Sequence, residues 1–416
     1  MELSAMTSAE ILDLRRRYER MRERGLQLDL SRGRPSKEQL DLSLPMLEPL
    51  SDYVCEDGQD ARNYGDAAGI PEARRLFGEI LGMPPEQVVM GGNSSVHLIF
   101  DALSRFVLHG PLEGDTPWGK LPKVRFICPV PGYDWHFGML DTLGIECVPV
   151  EIGEDGPDME EVERLALDPT VKGMICVPMY SNPTGVTFSD AVVDRLARME
   201  TAAGDFRLIW DNAYCVHHLY AGKRERLKNI YRACVEAGNP DRPMLFTSTS
   251  KITFAGGGVS AMAASPRNMA RQRALLTYQC ICYDKVNQLR HARFLPDLAA
   301  VEKHMERQAA LLRPKFEAVE ATLRELGDLV RWRKPLGGYF LCVRVAEGTA
   351  RRVVELCREA GVTLTPAGST YPGGKDPRDS VLRLAPTSPP LEELYRVMEV
   401  FSLAVRLAWA EKCEGK

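Results

Sequence analysis

The sequence predicts an α/β protein in which a three-layer larger domain, a mostly parallel β-sheet with helices on both faces, is joined to a smaller α+β domain. Between about residues 124 and 247, short apolar runs alternate with longer amphipathic segments, which is the pattern of βαβ units. After about residue 300 the pattern changes to one long charged helical stretch, a few short apolar runs and a final helix. This change indicates a second, smaller unit.

Length and charge restrict the class of protein. A chain of 416 residues is long for a single core and predicts two or three domains. Its 53 basic and 57 acidic residues leave a net charge of −4, with no long basic run, so no nucleic-acid partner is expected. No segment approaches the ~20 apolar residues that span a bilayer, and the first ten residues contain no apolar signal-peptide core. We therefore expect a cytoplasmic protein without a membrane partner.

The eleven cysteines mostly stand singly within apolar runs, without a C-x-x-C pair or a histidine-rich partner spacing. This pattern favours buried thiols in a reducing compartment over disulfides or a metal site. No metal is expected.

The amino-terminal segment is predicted to begin with an amphipathic helix. Apolar residues recur among charges between residues 8 and 25, and Gly25 ends the pattern. The loop at residues 31–36 is then restricted by Gly33 and a proline. Its Arg32 and Arg34 are either ordinary surface charges or guanidinium groups aimed at a carboxylate.

A candidate phosphate cradle comes next. A glycine-punctuated loop at residues 63–71 leads into a helix, and apolar residues 88–90 predict a short buried strand. Gly91-Gly92-Asn93-Ser94-Ser95 follows, before an apolar helix over residues 96–107. The N–H groups and dipole of such a helix start favour an anion. Many strand-to-helix turns of this kind bind nothing, so the motif by itself leaves both interpretations open.

Regular alternation of strand and helix marks the middle of the chain. Strands are predicted over residues 124–128, 147–150, 173–178, 207–210 and 244–247, and helices over residues 135–143, 159–167 and 191–203. In open parallel sheets, ligands bind beyond the carboxyl ends of the strands. The candidate site residues that follow strands in this way are Tyr133, Asn182, Asp211, Tyr214 and Lys251. We therefore expect the site at this edge of the sheet.

The smaller domain is predicted to combine both ends of the chain. Its carboxyl-terminal part contains helices over residues 298–326, 350–360 and 391–409, and apolar runs at residues 329–333, 337–343 and 381–384. The predicted divisions are residues 1–50 for the amino-terminal arm and part of the small domain, 51–305 for the large domain, and 306–416 for the remainder of the small domain.

Lys251 is the candidate nucleophile. It follows Ser248-Thr249-Ser250 and precedes glycines at residues 256–258, so hydroxyl and backbone N–H groups are near its amine. If an aldehyde cofactor condenses with this amine, those groups can bind an anionic part of the cofactor. The alternative is a solvated lysine in a Ser/Thr/Gly loop, because most lysines are exposed.

A pyridine-ring aldehyde cofactor also requires a carboxylate on the ring nitrogen, donors to the ring hydroxyl and a flat side chain against the ring. Asp211 ends an apolar strand and can supply the carboxylate, although strand-end aspartates are also common caps. Asn182 and Tyr214 can donate to the ring oxygen, which lowers the pKa of an imine at the lysine. Tyr133 can stack on the ring or belong to the core.

Arg383 lies within the apolar run at residues 381–384. Burial of a guanidinium costs free energy unless a carboxylate meets it, ideally through two hydrogen bonds. We therefore expect a bidentate carboxylate partner for Arg383.

Taken in order, these motifs resemble those of the fold-type-I, class I aminotransferases that depend on pyridoxal 5′-phosphate. The residues that carry the resemblance are Asn182-Pro183-Thr184-Gly185, Asp211 with Tyr214, Ser248 with Lys251, and Arg383. The loops at residues 31–36, 64–66 and 91–95 are similar to those of a bacterial subgroup allied to MocR-type sequences, which includes aspartate aminotransferases. The resemblance extends from about residue 28 to residue 405.

The resemblance implies a ping-pong aminotransferase with pyridoxal 5′-phosphate as cofactor, most simply with aspartate as amino donor and 2-oxoglutarate as acceptor. It implies that Lys251 bonds to the cofactor and moves the substrate proton, with Asp211 and Tyr214 at the ring. The implied cofactor-binding residues are Tyr64, Gly92, Asn93, Ser94, Ser95, Tyr133, Asn182, Asp211, Tyr214, Ser248 and Lys251. The implied substrate-binding residues are Arg32, Gly33, Asn182 and Arg383. Tyr64 is expected to reach the phosphate of a neighbouring subunit, which implies a homodimer with a shared active site.

One position departs from the family pattern. Most class I members have a phosphate-binding arginine eight residues after the lysine, and here that residue is Val259. We expect backbone N–H groups of the glycine run, the helix dipole and hydroxyl groups to replace it, with Lys285 and Arg290 as further candidates. The candidates for reading a distal substrate carboxylate are Arg32, Arg34 and Arg290.

Two other functions are compatible with the same residues. A lyase of this fold uses the same cofactor contacts, because fold does not determine the reaction. A non-catalytic sensor of the MocR kind carries an amino-terminal DNA-binding domain, for which the roughly 27 residues before the substrate loop are too few. The sequence therefore favours an enzyme.

Overall fold

The structure, a computed structural model, describes residues 7–415. The strands are β1 Leu28–Asp29, β2 Val88–Met90, β3 Arg125–Val130, β4 Glu146–Glu151, β5 Val171–Cys176, β6 Arg207–Asp211, β7 Pro243–Ser248, β8 Ser260–Ala264, β9 Val330–Trp332, β10 Leu341–Val345, β11 Val362–Thr363 and β12 Val381–Leu384. The α-helices are α1 Ser8–Arg22, α2 Lys37–Asp41, α3 Pro71–Leu81, α4 Ser95–His109, α5 Asp134–Thr142, α6 Met159–Ala166, α7 Asp190–Arg198, α8 Ile230–Glu236, α9 Pro266–Gln279, α10 Lys285–Phe294, α11 Leu298–Glu325, α12 Ala350–Glu359 and α13 Leu391–Cys413.

A seven-stranded sheet forms the larger part of the molecule, in the order β2-β8-β7-β6-β5-β3-β4. The neighbours from β7 to β4 are parallel, whereas β8 is antiparallel to both β2 and β7. This confirms the predicted mostly parallel sheet. Strand β8 was not predicted, because its sequence Ser-Ala-Met-Ala-Ala is short and rich in alanine, which is depleted in strands.

Helices cover both faces of this sheet. On β6, Leu208 and Trp210 pack into one apolar cluster and Ile209 packs into the other. Residues of α3, α6 and α7 belong to the first cluster, and residues of α4 and α5 belong to the second. Continuous apolar strands of this kind are typical of parallel sheets buried on both sides. The three-layer arrangement is therefore as predicted.

Helices α9 and α10 were absent from the sequence prediction. Both begin at side-chain caps, since Ser265 accepts a hydrogen bond from the N–H of Asn268 and Asp284 accepts one from the N–H of Asn287. The residues that these helices bury include several polar ones, such as Gln272. A buried face that mixes polar and apolar residues produces little apolar periodicity, so the pattern of the sequence does not reveal it.

The smaller unit joins the two ends of the chain. Strands β12, β10 and β9 form an antiparallel sheet, and β1 pairs with β11. Helix α1 packs on α13, and its Leu14, Tyr18 and Met21 share one core with residues after 312. The predicted division after residue 305 falls inside α11, and residues 1–6 and 416 lie outside the described part, so the domain limits stay a prediction.

The loops that follow β3, β5, β6 and β7 lie at one edge of the sheet, because these strands are parallel. Asp211 is the last residue of β6 and Ser248 is the last residue of β7. Within residues 7–415, no helix has the length and apolar character needed to cross a membrane. The eleven cysteines carry free thiols, and most of them are buried or half-buried.

Candidate functional site

Lys251 lies three residues beyond the end of β7, in a loop that Tyr339 and His217 hold in place. The Tyr339 hydroxyl donates to the Lys251 carbonyl oxygen at 3.2 Å, and His217 Nε2 lies 3.3 Å from the same oxygen. The Lys251 Nζ atom lies 5.1 Å from the centroid of the Tyr214 ring. Burial lowers the pKa of the Lys251 amine, and the negative charge of Asp211 partly opposes this shift. The amine is therefore shielded from solvent, and its lowered pKa favours the neutral form that a nucleophile or base requires.

Asp211 is 1% exposed, and one of its carboxylate oxygens is unpaired. Oδ2 lies 3.1 Å from His136 Nε2. Oδ1 is buried and has no hydrogen-bond partner among residues 7–415. A buried acceptor without a donor costs about 1–3 kcal/mol, so a ligand N–H at this position would stabilise the site. This matches the protonated nitrogen of a pyridine ring.

Tyr214, Tyr133 and Asn182 surround the same space. Tyr214 is buried. Its pKa is raised well above the usual value, chiefly by burial and to a smaller extent by nearby acidic groups, which keeps its hydroxyl protonated. Tyr133 contacts the edge of His136, with ring centroids 5.0 Å apart. Asn182 is also buried and accepts from Arg383. The structure therefore places all three predicted residues beside Asp211 or Arg383.

Arg383 lies on β12, at 7% exposure, and a carboxylate does meet it. Its Nη1 donates to Asp134 Oδ1 at 2.8 Å and to Asn182 Oδ1 at 3.4 Å, and its Nη2 donates to Asp134 Oδ2 at 3.5 Å. The guanidinium carbon lies 5.1 Å from the centroid of the Phe340 ring. A carboxylate partner for Arg383 was predicted from the sequence, but Asp134 was not identified as that partner.

The loop before α4 has the features of an anion site. Ser94 is the N-cap of this 15-residue helix, yet its side chain caps no backbone N–H. The Ser250 hydroxyl donates to the Asn93 carbonyl oxygen at 2.7 Å, and the Ser248 hydroxyl donates to Ser250 at 3.0 Å. A Cβ on Gly92 would lie 3.8 Å from His97 Nδ1 and 3.9 Å from the Tyr283 ring, which is ordinary van der Waals contact. Free helix N–H groups and hydroxyls together favour a phosphate.

Ser95 is buried at the first position of α4, so its backbone N–H is one of those at the helix start. Ser250 was not predicted as a site residue, although its place one residue before the lysine is visible in the sequence. Its hydroxyl connects the two loops that surround the anion site.

Val259 does not leave its backbone free for phosphate. Its N–H donates to Thr249 Oγ1 at 2.9 Å, its carbonyl oxygen accepts from the Thr249 N–H at 2.8 Å, and its side chain is buried. The N–H of Gly257 donates within the same loop, to Phe254. The expectation that the glycine run supplies these two N–H groups to an anion is therefore wrong, because the loop uses them to hold its own shape.

His291 on α10 holds the lysine loop through hydrogen bonds to two of its threonines. This histidine was not predicted from the sequence. Its Nδ1 lies 2.8 Å from the Asn287 carbonyl oxygen, and its Nε2 lies 3.1 Å from Thr249 Oγ1 and 2.9 Å from Thr253 Oγ1. A neutral ring that donates through Nδ1 accepts from both hydroxyls through Nε2. Burial lowers the pKa of His291 to about 4. No local sequence signal identifies a histidine 40 residues after the lysine.

Acidification is expected to weaken the folded state through His291. The unfolded ring binds a proton below about pH 6.5 and the folded ring only below about 4, so this stabilisation is complete above 6.5 and is lost as the pH falls. The contribution to the free energy of unfolding changes by about 1.4 kcal/mol per pH unit in this window. Urea unfolding of wild type and His291→Gln at pH 7, 6 and 5 measures it. The advantage of wild type over the variant should shrink with falling pH, and a constant difference would contradict this role.

The Gly33 loop packs under the Arg383 site through Phe340. A Cβ on Gly33 would lie 2.5 Å from Phe340 Cζ, so no side chain fits without movement of that ring. The same ring lies against the guanidinium of Arg383. Arg32 is exposed, and Arg34 pairs at the surface with Asp29 at 2.9 Å. The structure thus joins Gly33 to Arg383, whereas Arg34 is paired with Asp29 at the surface.

Gly33→Ala is expected to disturb Arg383 rather than the lysine. Displacement of the Phe340 ring should raise KM for the substrate about tenfold, because small displacements of positioning groups have effects of this order or larger. Gly204→Ala is the matched control, since a Cβ at Gly204 meets nothing within 4 Å. Steady-state kinetics of both variants check this. An unchanged KM in Gly33→Ala would mean that the loop does not position Arg383.

Tyr64 is 75% exposed. Lys285 holds its loop, since Nζ donates to the carbonyl oxygens of Tyr64 at 3.0 Å and Asp60 at 3.3 Å. Lys285 is thus engaged with this loop, and its Nζ would lie 2.5 Å from a Cβ on Gly65. Arg290 has a buried Nε without a partner in the described chain.

Comparisons with known proteins identify the family of the chain. A family model described as aspartate amino-transferase matches residues 2–416. The aspartate aminotransferase of Corynebacterium glutamicum is 45% identical over 405 residues, which cover 96% of this chain and 93% of that protein. A protein of Mycolicibacterium smegmatis is 46% identical over 408 residues, which cover 96% of this chain and 95% of that protein.

Solved structures show the same fold. The crystal structure of an aspartate transaminase from Corynebacterium glutamicum matches with a TM-score of 0.94 and 44% identity, over 98% of each chain. The α-aminoadipate aminotransferase LysN of Thermus thermophilus matches with a TM-score of 0.75 and 22% identity, over 95% of each chain. The second likeness concerns the fold alone.

Proposed function

The chain belongs to the aspartate aminotransferase family and is an aminotransferase, and we propose from this premise that it moves the amino group of L-aspartate to 2-oxoglutarate with pyridoxal 5′-phosphate as cofactor. The single observation that carries the proposal is the shielded amine of Lys251 beside Tyr214 and the unpaired carboxylate oxygen of Asp211. The name of the Corynebacterium glutamicum relative supports the choice of aspartate.

The residues of the site fit the cofactor at each end. Asp211 Oδ1 offers the unpaired acceptor that a protonated ring nitrogen needs, and the start of α4, where no side chain caps the helix N–H groups, suits the phosphate. Ser94 and Ser248 offer hydroxyls there, with Asn93 and Ser95 in the same loop and turn. Tyr133 is suited to lie against the ring. When bound, pyridoxal 5′-phosphate supplies an aldehyde that joins the amino nitrogen and a ring that withdraws electrons.

The protein moves the proton and keeps the charges in place. Lys251 Nζ would take the proton from Cα of the amino donor and, in the second half-reaction, deliver a proton to Cα of the new amino acid, which its lowered pKa favours. Asp211 would lie opposite the ring nitrogen, and His136 contacts that carboxylate at Oδ2. Tyr214 and Asn182 would donate to the ring oxygen. Because the Tyr214 pKa is raised, its hydroxyl keeps its proton across the working pH range.

Substrate recognition is assigned to Arg383 and the Gly33 loop. Arg383 binds the α-carboxylate in two-point fashion, since a planar guanidinium matches a carboxylate in geometry and charge. Arg32 remains our candidate for the distal carboxylate. It is exposed and lies in the same loop as Gly33.

The exposed Tyr64 supports a homodimer with a shared active site, in which this residue reaches the cofactor phosphate of the second copy. Sedimentation of the purified protein should give twice the chain mass of 46.4 kDa. A monomer with full activity would contradict the shared site. The free thiols and the lack of a membrane-crossing helix in the described residues agree with a cytoplasmic location, which we also propose.

Incubation of the purified protein with aspartate and 2-oxoglutarate tests the reaction. We expect oxaloacetate and glutamate in equal amounts, with each half-reaction visible as a change in cofactor absorbance. Release of pyruvate or ammonia without glutamate would indicate a lyase of the same fold. If the absorbance responds to another amino acid but not to aspartate or glutamate, the substrate assignment is wrong while the cofactor assignment stands.

A further inference from the structure

Asp134 pairs with Arg383, the arginine that the substrate carboxylate is expected to bind. It is the first residue of α5 and directly follows Tyr133. Its two oxygens lie 2.8 Å and 3.5 Å from Nη1 and Nη2 of Arg383. This is the same two-point geometry with which a substrate carboxylate binds a guanidinium. The protein therefore places its own carboxylate in the position of that ligand.

The remaining donors of Arg383 have weaker partners. Nε lies 3.4 Å from Thr365 Oγ1, and Asn182 Oδ1 lies 3.4 Å from Nη1. Asp134 is thus the principal acceptor of a guanidinium that is buried against Phe340. Without it, Arg383 would be a buried charge with no counter-ion, which is costly.

Of the two paired side chains, that of Asp134 has the more exposed surroundings and is the freer to move. Its side chain is 30% exposed, against 7% for Arg383. Its place in the first turn of α5 stabilises its negative charge through the helix dipole, whether or not it touches Arg383. Movement of Asp134 into solvent therefore costs less than movement of Arg383 out of the core.

We infer that Asp134 is a placeholder carboxylate, which neutralises Arg383 in the empty site and is displaced from it when a substrate carboxylate binds. Asp134 is a positioning residue that sets the affinity for carboxylate substrates. The inference deepens the proposed function and rests on it for the role of Arg383. Two effects follow: loss of Asp134 lowers the stability of the empty protein and strengthens carboxylate binding.

The test compares the purified holoenzyme with Asp134→Asn and with Asp141→Asn, an exposed aspartate of the same helix. Succinate, a dicarboxylate without an amino group, is titrated into each protein by calorimetry, and its uncharged diamide serves as the ligand control. In Asp134→Asn the Kd for succinate should fall about tenfold, whereas the binding of the diamide should not change. In Asp141→Asn the Kd for succinate should match that of wild type. The unfolding temperature of Asp134→Asn should be lower without succinate and approach wild type at saturation.

Unchanged or weaker succinate binding in Asp134→Asn would overturn the inference, since it would mean that Asp134 holds Arg383 in place while the substrate binds. If Asp134→Asn does not fold, Asp134→Ser carries the same expectations. Failure of the proposed function is distinguishable, because it shows in wild type as a lack of oxaloacetate from aspartate. Failure of the inference leaves wild-type turnover intact.

Discussion

Lys251→Ala is expected to lower amino transfer by at least about 10³-fold, within the range by which positioned acid–base groups accelerate reactions. The variant loses both the amine that bonds to the cofactor and the base that moves the substrate proton. Burial already disfavours the charged form of this lysine, so its removal should not lower the unfolding temperature. Turnover of aspartate and a thermal melt of the same sample measure both effects.

The control for this variant is Lys303→Ala, which removes an exposed lysine of α11. It should behave as wild type in both measurements. The cofactor should remain in Lys251→Ala through its non-covalent contacts and leave on dialysis more readily. Full activity in Lys251→Ala would mean that another lysine carries the reaction.

Asp211→Asn is expected to lower kcat by about 10²–10³-fold, the range for loss of one preorganised electrostatic partner. The amide keeps the shape of the side chain but removes the charge opposite the ring nitrogen. The charge of Asp211 raises the pKa of Lys251, so the pH at which the lysine of the cofactor-free protein loses its proton should also shift downward. A pH titration of that protein, followed by reaction of the amine with an acylating reagent, measures the second effect.

His136→Gln provides the comparison for Asp211→Asn. It keeps the carboxylate and removes only the contact at Oδ2, so its loss of activity should be smaller than that of Asp211→Asn. Equal losses would indicate that the aspartate acts through the histidine rather than through its own charge.

The sequence could predict the parts of the site that depend on strand ends. Asp211 and Lys251 follow apolar strands in a βαβ pattern, and parallel strands bring their carboxyl ends to one edge. The fold class, the parallel strands of the sheet and several of its covering helices follow from the same periodicity. The buried arginine on β12 was predictable because an ionised side chain in an apolar run requires a partner.

The parts that the sequence did not reveal depend on contacts between distant residues. Asp134 meets Arg383 across 249 positions, and His291 meets Thr249 across 42. Strand β8 exists because β2 and β7 pair with it on either side, not because of its alanine-rich sequence. Periodicity describes single elements, so it contains no information on such pairs.

Val259 occupies the position at which most class I members have a phosphate-binding arginine. The family arginine is absent there. The Val259 N–H instead donates to the Thr249 hydroxyl, and the Val259 carbonyl oxygen accepts from the Thr249 N–H. We therefore propose that the N–H groups at the start of α4 and the hydroxyls of Ser94, Ser248 and Ser250 hold the phosphate. We expect this site to hold phosphate more weakly than one that has a guanidinium.

The role of Lys251 is tested most directly by reducing the purified protein with borohydride and mapping its peptides by mass spectrometry. We expect one peptide heavier by the mass of a reduced phosphopyridoxyl group, with the modification on Lys251. Prior addition of aspartate should remove this modification, because the amino group of the substrate competes with that of the lysine. A modification on any other lysine, or none in a protein that turns over aspartate, would contradict the central role of Lys251.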